Sequence, residues 1–250
     1  MQRNELVRYL DTYLRIAEVP DYGPQGLQVE GAEEVTRVAF AVDSGLPCID
    51  AAIRMGAQML IVHHGLFWEK VEPIRGPLAR SVRRLIVANL NLYSAHLALD
   101  AHPEVGNNVE LARLLGLTVD GWFANAKGTD IGVTCTVEDG RDLAALTAAV
   151  EAQLGARPRV LAHGPAQPRR VAIVSGLGIR YADEAAALGV DTFITGETSH
   201  AHFYKALDHR MNVIFAGHYA SETVGLKALG RHLNGRLGLE TLFIDLPTDM

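Results

Sequence analysis

The chain has 250 residues, 48% of them hydrophobic and 21% charged, so it can bury a sizeable core and is not a disordered polymer. Its net charge of −6 disfavours a dedicated nucleic-acid binder, which carries a basic excess. No apolar run reaches about 18 residues, which excludes a membrane helix; the N-terminus lacks a signal-peptide pattern, and Cys48 and Cys135 form no disulfide framework, so the expected address is the reducing cytoplasm.

The first predicted element is an amphipathic helix from Asn4 to Ala17, with Asn4 as its N-cap and Leu6, Leu10, Tyr13 and Ala17 on one face. A loop follows at Tyr22–Leu27. Arg37–Val42 is nearly all apolar and reads as a buried strand. A helix from Pro47 to Met55 stops at Gly56. Met59–Val62 is a second buried strand, running into His63 and His64. Leu78–Asn89 has a helical period, and Leu92–Ala95 is a third strand, ending at His96. Asn107 and Asn108 are placed to cap a helix through Leu115, which Gly116 ends. From about Ala126 to Arg170 the pattern changes: a strand over Ile131–Val137 and a helix over Leu143–Leu154 read as a small connecting subdomain. Alternating strands and helices return after Arg170. The fold class is α/β, with mixed sheets covered by helices.

The two ends of the chain resemble each other. At an offset of 133, Arg37-Val38-Ala39 falls on Arg170-Val171-Ala172, and Asp50, Ala52, Gly56 and Ile61 fall on Asp183, Ala185, Gly189 and Ile194. The His63-His64 pair then falls on Gly196-Glu197. At an offset of 122, His96 falls on His218 and Asp100 on Glu222. The expected division is a first unit of residues 1–125 with about 216–250, and a second unit of about 126–215.

The polar groups gather where apolar strands end, which is where α/β sheets place their ligands. His63-His64, His96 with Asp100, and His218 with Glu222 are expected at the ends of three neighbouring parallel strands. Imidazole and carboxylate are ligands for divalent zinc, iron or manganese. Adjacent histidines point different ways, so two ions fit better than one, with Asp100 and His218 supplying one ligand each. A carboxylate shared by both ions offsets their repulsion, and Glu222 is placed for it. Such a pair, about 3.5–4 Å apart, activates a water between them. His96 is either an orienting partner of a ligand or a group bonded to neighbouring backbone. Glu197 either lines the same cleft or plays a structural part.

Other features are weaker. Gly176-Leu177-Gly178 fails as a dinucleotide fingerprint, because Tyr181 stands where the third glycine belongs, and reads as a tight turn. His200 and His202 are two apart and read as surface or core residues rather than rim. Phe67 and Trp68 are expected to pack in the core rather than wall the cleft. Arg80, Arg83 and Arg84 read as a solvated helix face rather than a channel for nucleic acid.

Ile61-Val62-His63-His64-Gly65, Gly26–Val29, His96 to Asp100, Gly106-Asn107-Asn108, Gly196-Glu197, and Gly217-His218 with Glu222 together resemble the Nif-three-like dinuclear metal-centre family, catalogued as "GTP cyclohydrolase I type 2 homologue". The resemblance covers nearly the whole chain. It implies two intertwined, repeated α/β halves and a ring-shaped homohexamer with sites facing an inner cavity. It also implies one ion held by His64, Asp100 and Glu222 and a second by His63, His218 and Glu222. The expected activity is metal-dependent hydrolysis of a small, nucleotide-like substrate by water activated between the ions, with His96 or Glu197 moving a proton. The rivals are a ring that stores or delivers metal and a ring that binds nucleic acid.

Overall fold

The computed structural model describes residues 1–70 and 72–248. The first stretch of chain comprises α1 (Arg3–Tyr13), β1 (Gly26–Val29), β2 (Arg37–Asp43), α2 (Leu46–Arg54), β3 (Met59–His64), α3 (Gly76–Val87), β4 (Asn91–Ser94) and the short α4 (Leu97–Asp100). Helix α1 is shorter than its periodicity suggests. Gln2 rather than Asn4 is its N-cap, and Arg15 adopts a positive φ of 56° just past its end. Its buried face is Leu6 and Leu10, continued by Leu14, while Ala17 is exposed. Strands β2 and β3 are buried along nearly their whole length, as parallel strands covered on both faces must be.

Next come α5 (Asn107–Leu114), β5 (Thr118–Ala126), β6 (Thr129–Thr136), α6 (Leu143–Leu154) and β7 (Arg159–Ala162). Lys127 and Gly128, with φ of 54° and 96°, form the two-residue turn joining β5 to β6. The N-cap of α5 is Gly106; Asn107 and Asn108 lie inside the helix, buried, and do not cap it. The remaining elements are β8 (Arg170–Val174), a 3₁₀ turn at Gly178–Tyr181 leading into α7 (Ala182–Ala187), β9 (Thr192–Thr195), a second 3₁₀ turn at His200–His202 leading into α8 (Phe203–Asp208), β10 (Asn212–Phe215), α9 (His218–Leu237) and β11 (Glu240–Phe243).

The chain divides into two compact units, one of Met1–Leu99 with Leu226–Leu246 and one built on Asp100–Gly225. The boundaries thus fall at 99/100 and 225/226, so residues 100–125 and 216–225 lie in the second unit. Unit 1 holds a five-stranded sheet in the order β1-β4-β3-β2-β11. Unit 2 holds a six-stranded sheet in the order β5-β6-β8-β9-β10-β7. Residues 126–170 are therefore no separate subdomain: β6 and β7 are strands of the second sheet, and β6 pairs antiparallel with β8. Nor is β10 a neighbour of β3 and β4, since it lies between β9 and β7. Apolar side chains close each unit. Ile49, Leu60, Val62, Leu85 and Leu92 are central in the first, and Leu111, Val133, Leu146, Ile173 and Ile194 in the second.

The repeat is present and extends further than its sequence identities. Val38 pairs with Met59 across β2 and β3, and Val171 with Thr192 across β8 and β9, each shifted by 133. Strand β1 runs antiparallel to β4, and β7 antiparallel to β10, again at corresponding residues. The third strand corresponds at an offset of 121, not 122: Met59 pairs with Asn91, and Thr192 with Asn212. His218 therefore lies one position beyond the equivalent of His96.

The two buried asparagines do the same work. Asn91 accepts from the Gly31 amide at 2.7 Å and donates to the Ala32 and Gln58 carbonyls. Asn212 accepts from the Gly164 amide at 2.9 Å and donates to the Pro165 carbonyl and the Thr192 hydroxyl. Gly31 and Gly164 are themselves 133 apart. Each asparagine satisfies loop backbone that would otherwise be buried without partners.

Candidate metal centre

In unit 1 the histidines stand at the carboxyl ends of β3 and β4. Asp43 ends β2 and lies opposite His64 in the parallel register, so the two side chains meet: His64 Nδ1 is 2.9 Å from Asp43 Oδ1. His63, fully buried, places Nδ1 3.0 Å from the Ala95 carbonyl. His96 places Nδ1 2.8 Å from Asp21 Oδ1. An oxygen acceptor at Nδ1 keeps a proton on that nitrogen. Nε2 is then the nitrogen with which each ring can serve as a ligand. Ligand nitrogens of His63, His64 and His96 all lie within 4.8 Å of one another.

The loop before β1 holds this end in place. Asp21 also accepts from the Leu97 amide at 2.9 Å, and Gln25 Oε1 accepts from the amides of His96 and Ala98. Trp68 is not in the core. It is 43% exposed, with its ring edge-on to His96 at 5.3 Å and 6.2 Å from His64.

In unit 2 the donors come from the first turn of α9. His218 Nε2 lies 3.0 Å from Glu222 Oε1, the i,i+4 neighbour on the helix, and His218 Nδ1 lies 2.9 Å from Glu197 Oε1. The hydrogen bond to Glu222, together with Glu197, pushes the His218 pKa up to about 9, against the opposing effect of burial. The ring is thus protonated at neutral pH, and a metal ion would take the place of the Nε2 proton. Glycine makes the room. Gly176 has a φ of 58°, and a β-carbon there would run into the Glu222 carboxylate. A β-carbon on Gly196 would come within 2.8 Å of His218 Cα. The tight turn read at Gly176 is therefore also the space in which Glu222 sits.

Asp100 is buried and accepts from Asn107 Nδ2 at 2.8 Å and from the Ser175 hydroxyl at 3.3 Å. Asn107 Oδ1 in turn accepts from the Gly225 amide. Asn108 bridges Ser175 N and the Ile131 carbonyl. The two asparagines position Asp100 and its surroundings.

Of the residues singled out in the sequence, the structure groups His63, His64 and His96 in unit 1 and His218, Glu222 and Glu197 in unit 2. Glu197 is the orienting partner of His218. His200 is exposed and His202 bonds Ser199, so neither joins a donor group. Sequence reasoning missed Asp43 and Asp21, and it read Gly176 as a tight turn without its part in making room for Glu222. Asp43 was within reach, because it ends β2 just as His64 ends β3.

A duplicated α/β protein with imidazole and carboxylate donors at its strand ends is the class this architecture defines. A family model described as "Duf34/NIF3 (NGG1p interacting factor 3)" matches residues 1–250. A protein of Pyrococcus abyssi named "GTP cyclohydrolase 1 type 2 homolog" is 45% identical over 251 residues, covering 100% of both chains. Among solved structures, one titled "Structural genomics, protein ybgI, unknown function" superimposes with a TM-score of 0.94 at 38% identity, covering 100% of both chains. TTHA1606 from Thermus thermophilus does so with a TM-score of 0.90 at 41% identity, again over 100% of both. The chain belongs to the Duf34/NIF3 family.

The donor set fits divalent metal. Imidazoles oriented through Nδ1 and a buried carboxylate beside one of them suit zinc, iron or manganese, and neither cysteine is among them. No helix among the described residues is long and apolar enough to cross a membrane.

Proposed function

We propose that this protein is a metal-dependent hydrolase that binds two divalent ions, one through His64, Asp100 and Glu222 and the other through His63, His218 and Glu222. The observation that carries the reading is the uniform orientation of the imidazoles. His63, His64 and His218 each give Nδ1 to an oxygen acceptor, which fixes the ring, and Nε2 of His218 faces the Glu222 carboxylate. A histidine retained only for packing has no need of that arrangement.

Two ions bound there would lower the pKa of a water and act as Lewis acids toward a small substrate. The chain's own residues supply the rest. Asp43 and Glu197 fix the rings of His64 and His218. His96, held through Nδ1 by the buried Asp21, has Nε2 placed to take a proton and hand it on. The name carried by the relatives suggests a nucleotide-like substrate with a ring to open.

The deciding experiment is elemental analysis of untagged protein purified without chelator, beside Glu222→Ala. The parent is expected to hold about two ions per chain, as two-metal hydrolases do, and the variant to lose most of them. Absence of metal from both proteins overturns the reading. A screen of phosphoester, amide and cyclic-amidine substrates then tests hydrolysis. Turnover that Glu222→Ala abolishes supports it, and no turnover with the metal-loaded parent removes it.

A further inference from the structure

Among the exposed large apolar side chains of unit 1, Trp68 is one that stands beside the histidines. It is a large apolar side chain, 43% exposed, on a loop whose backbone is firmly held. Gly23 lies so close that a β-carbon there would come within 2.8 Å of Trp68 Cα and 2.6 Å of the Phe67 carbonyl oxygen. The Glu69 amide donates to the Tyr22 carbonyl at 2.5 Å, and the Leu66 amide to Gln28 Oε1 at 2.8 Å. Both flanks of the indole are thus pinned to the loop before β1 and to β1 itself. A tryptophan that merely failed to find the core would not need so rigid a base.

The indole is also in a particular place. It meets His96 edge to face, at an interplanar angle of 84°, and stands at 45° to His64. The Tyr22 ring lies 6.5 Å from that of His96. Between the indole, His96 and the residues Asp21, Gly23, Pro24, Gln25 and Ser94 only about 10 Å³ is left, too little for any ring, so a ligand would meet the exposed face of the indole. Asp21 is the one carboxylate among them, and it is already engaged by His96 and Leu97. Among the described residues no lysine or arginine lines this gap. These neighbours give the indole neither a free counter-charge for a cation nor a donor cluster for phosphate. What is open there is its flat aromatic face, beside imidazole.

We infer that Trp68 is the platform on which the substrate's planar heteroaromatic ring, of the nucleobase type, stacks beside His64 and His96. The inference rests on the hydrolase reading only for what happens at the reacting end of the ligand. Aromatic faces of this kind hold bases largely irrespective of their hydrogen-bonding pattern. Trp68 would then set the class of ring accepted, while His96 acts on its substituents.

The chain has two tryptophans, and Trp122 on β5 is replaced so that Trp68 is the sole fluorophore. Metal-loaded Trp122→Phe protein is titrated with guanosine monophosphate, adenosine monophosphate and ribose 5-phosphate. The two nucleotides are expected to quench the indole saturably, and the ringless sugar phosphate to leave it unchanged. By calorimetry, Trp68→Ala in the parent should weaken nucleotide binding about 5- to 150-fold, and Trp68→Phe should recover most of the loss. Metal content should be unaltered in both, which separates lost stacking from a collapsed site. Nucleotide binding equally tight in Trp68→Ala overturns the inference, as does failure of any nucleotide to bind, or equal quenching by ribose 5-phosphate. Ring-dependent binding by a protein that holds no metal would leave Trp68's role standing and remove the hydrolase reading instead.

Discussion

In unit 1, β3 ends on His63 and His64; at the matching positions after β9 stand Gly196 and Glu197. Asp43, which orients His64, corresponds to Gly176, which clears the space for Glu222. The first repeat thus puts two histidines at the end of its second strand, and the second repeat puts there a glycine and Glu197, the carboxylate that orients His218 on the helix that follows. At the opposite ends of the same strands the halves agree. Asn91 and Asn212 make matching clamps, and Gly56 and Gly189 follow their helices with φ of 69° and 76°. Backbone groups at the amino end of a buried strand have to be satisfied in one way. The carboxyl end, where α/β sheets place their ligands, was free to diverge.

The largest expected effect tests the conserved side of this comparison. Asn91→Ala and Asn212→Ala each remove three hydrogen bonds at a fully buried position and leave backbone groups without partners. Each should cost about 3–5 kcal/mol of stability, measured by urea denaturation, because orphaned buried groups lose their full desolvation penalty. If one substitution costs less than about 1 kcal/mol while the other costs the full amount, the two clamps are not equivalent.

A smaller effect tests the diverged side. Asp43→Asn and Glu197→Gln keep the shape of each orienting group but remove its charge. Each is expected to weaken metal binding about 10- to 100-fold, as substitutions behind ligating histidines do. Glu197→Gln should have the larger effect, because Glu197 is the less exposed of the two carboxylates. Equal affinity in parent and variants would show that the rings are held by other means.

Much of this was legible in the sequence. The apolar runs of β2 and β3, the helix at Leu143–Leu154 and the first offset of 133 follow from periodicity and identity alone. The histidine pair, His218 and Glu222 were visible as polar residues where such runs stop. What escaped depends on contacts distant in the chain. Asn107 and Asn108 have the chemistry of caps, but Gly106 takes the cap while they satisfy Asp100, Ser175 and Ile131. The reading of 126–170 as a subdomain failed because strand pairing of β6 with β8 leaves no local mark. Aligning His96 with His218 matched chemistry rather than register. The true register is carried by two asparagines that bind no ligand. Trp68 was assigned to the core on hydrophobicity, which says nothing about a loop that holds it outward.

The smallest expected effect concerns the glycines that end α2 and α7. Both have a positive φ, a conformation a β-carbon disfavours. Gly189→Ala meets nothing within 4 Å, so its cost is that of the backbone alone, about 1 kcal/mol. Gly56→Ala pays the same backbone term, and its β-carbon also comes within 3.0 Å of Arg37 Nη1, which donates to the Met55 carbonyl at 2.7 Å. The arginine can shift, because its far end is flexible, but it then loosens its hold on the residue that caps α2. Gly56→Ala should therefore be the more destabilising of the two by a few tenths of a kcal/mol, on the order of a strained hydrogen bond. Adding Arg37→Ala to both backgrounds isolates that difference. If the backbone requirement is common to the repeats, the two glycine substitutions should then cost the same; a gap that persists would place the difference in the helices, not in the arginine.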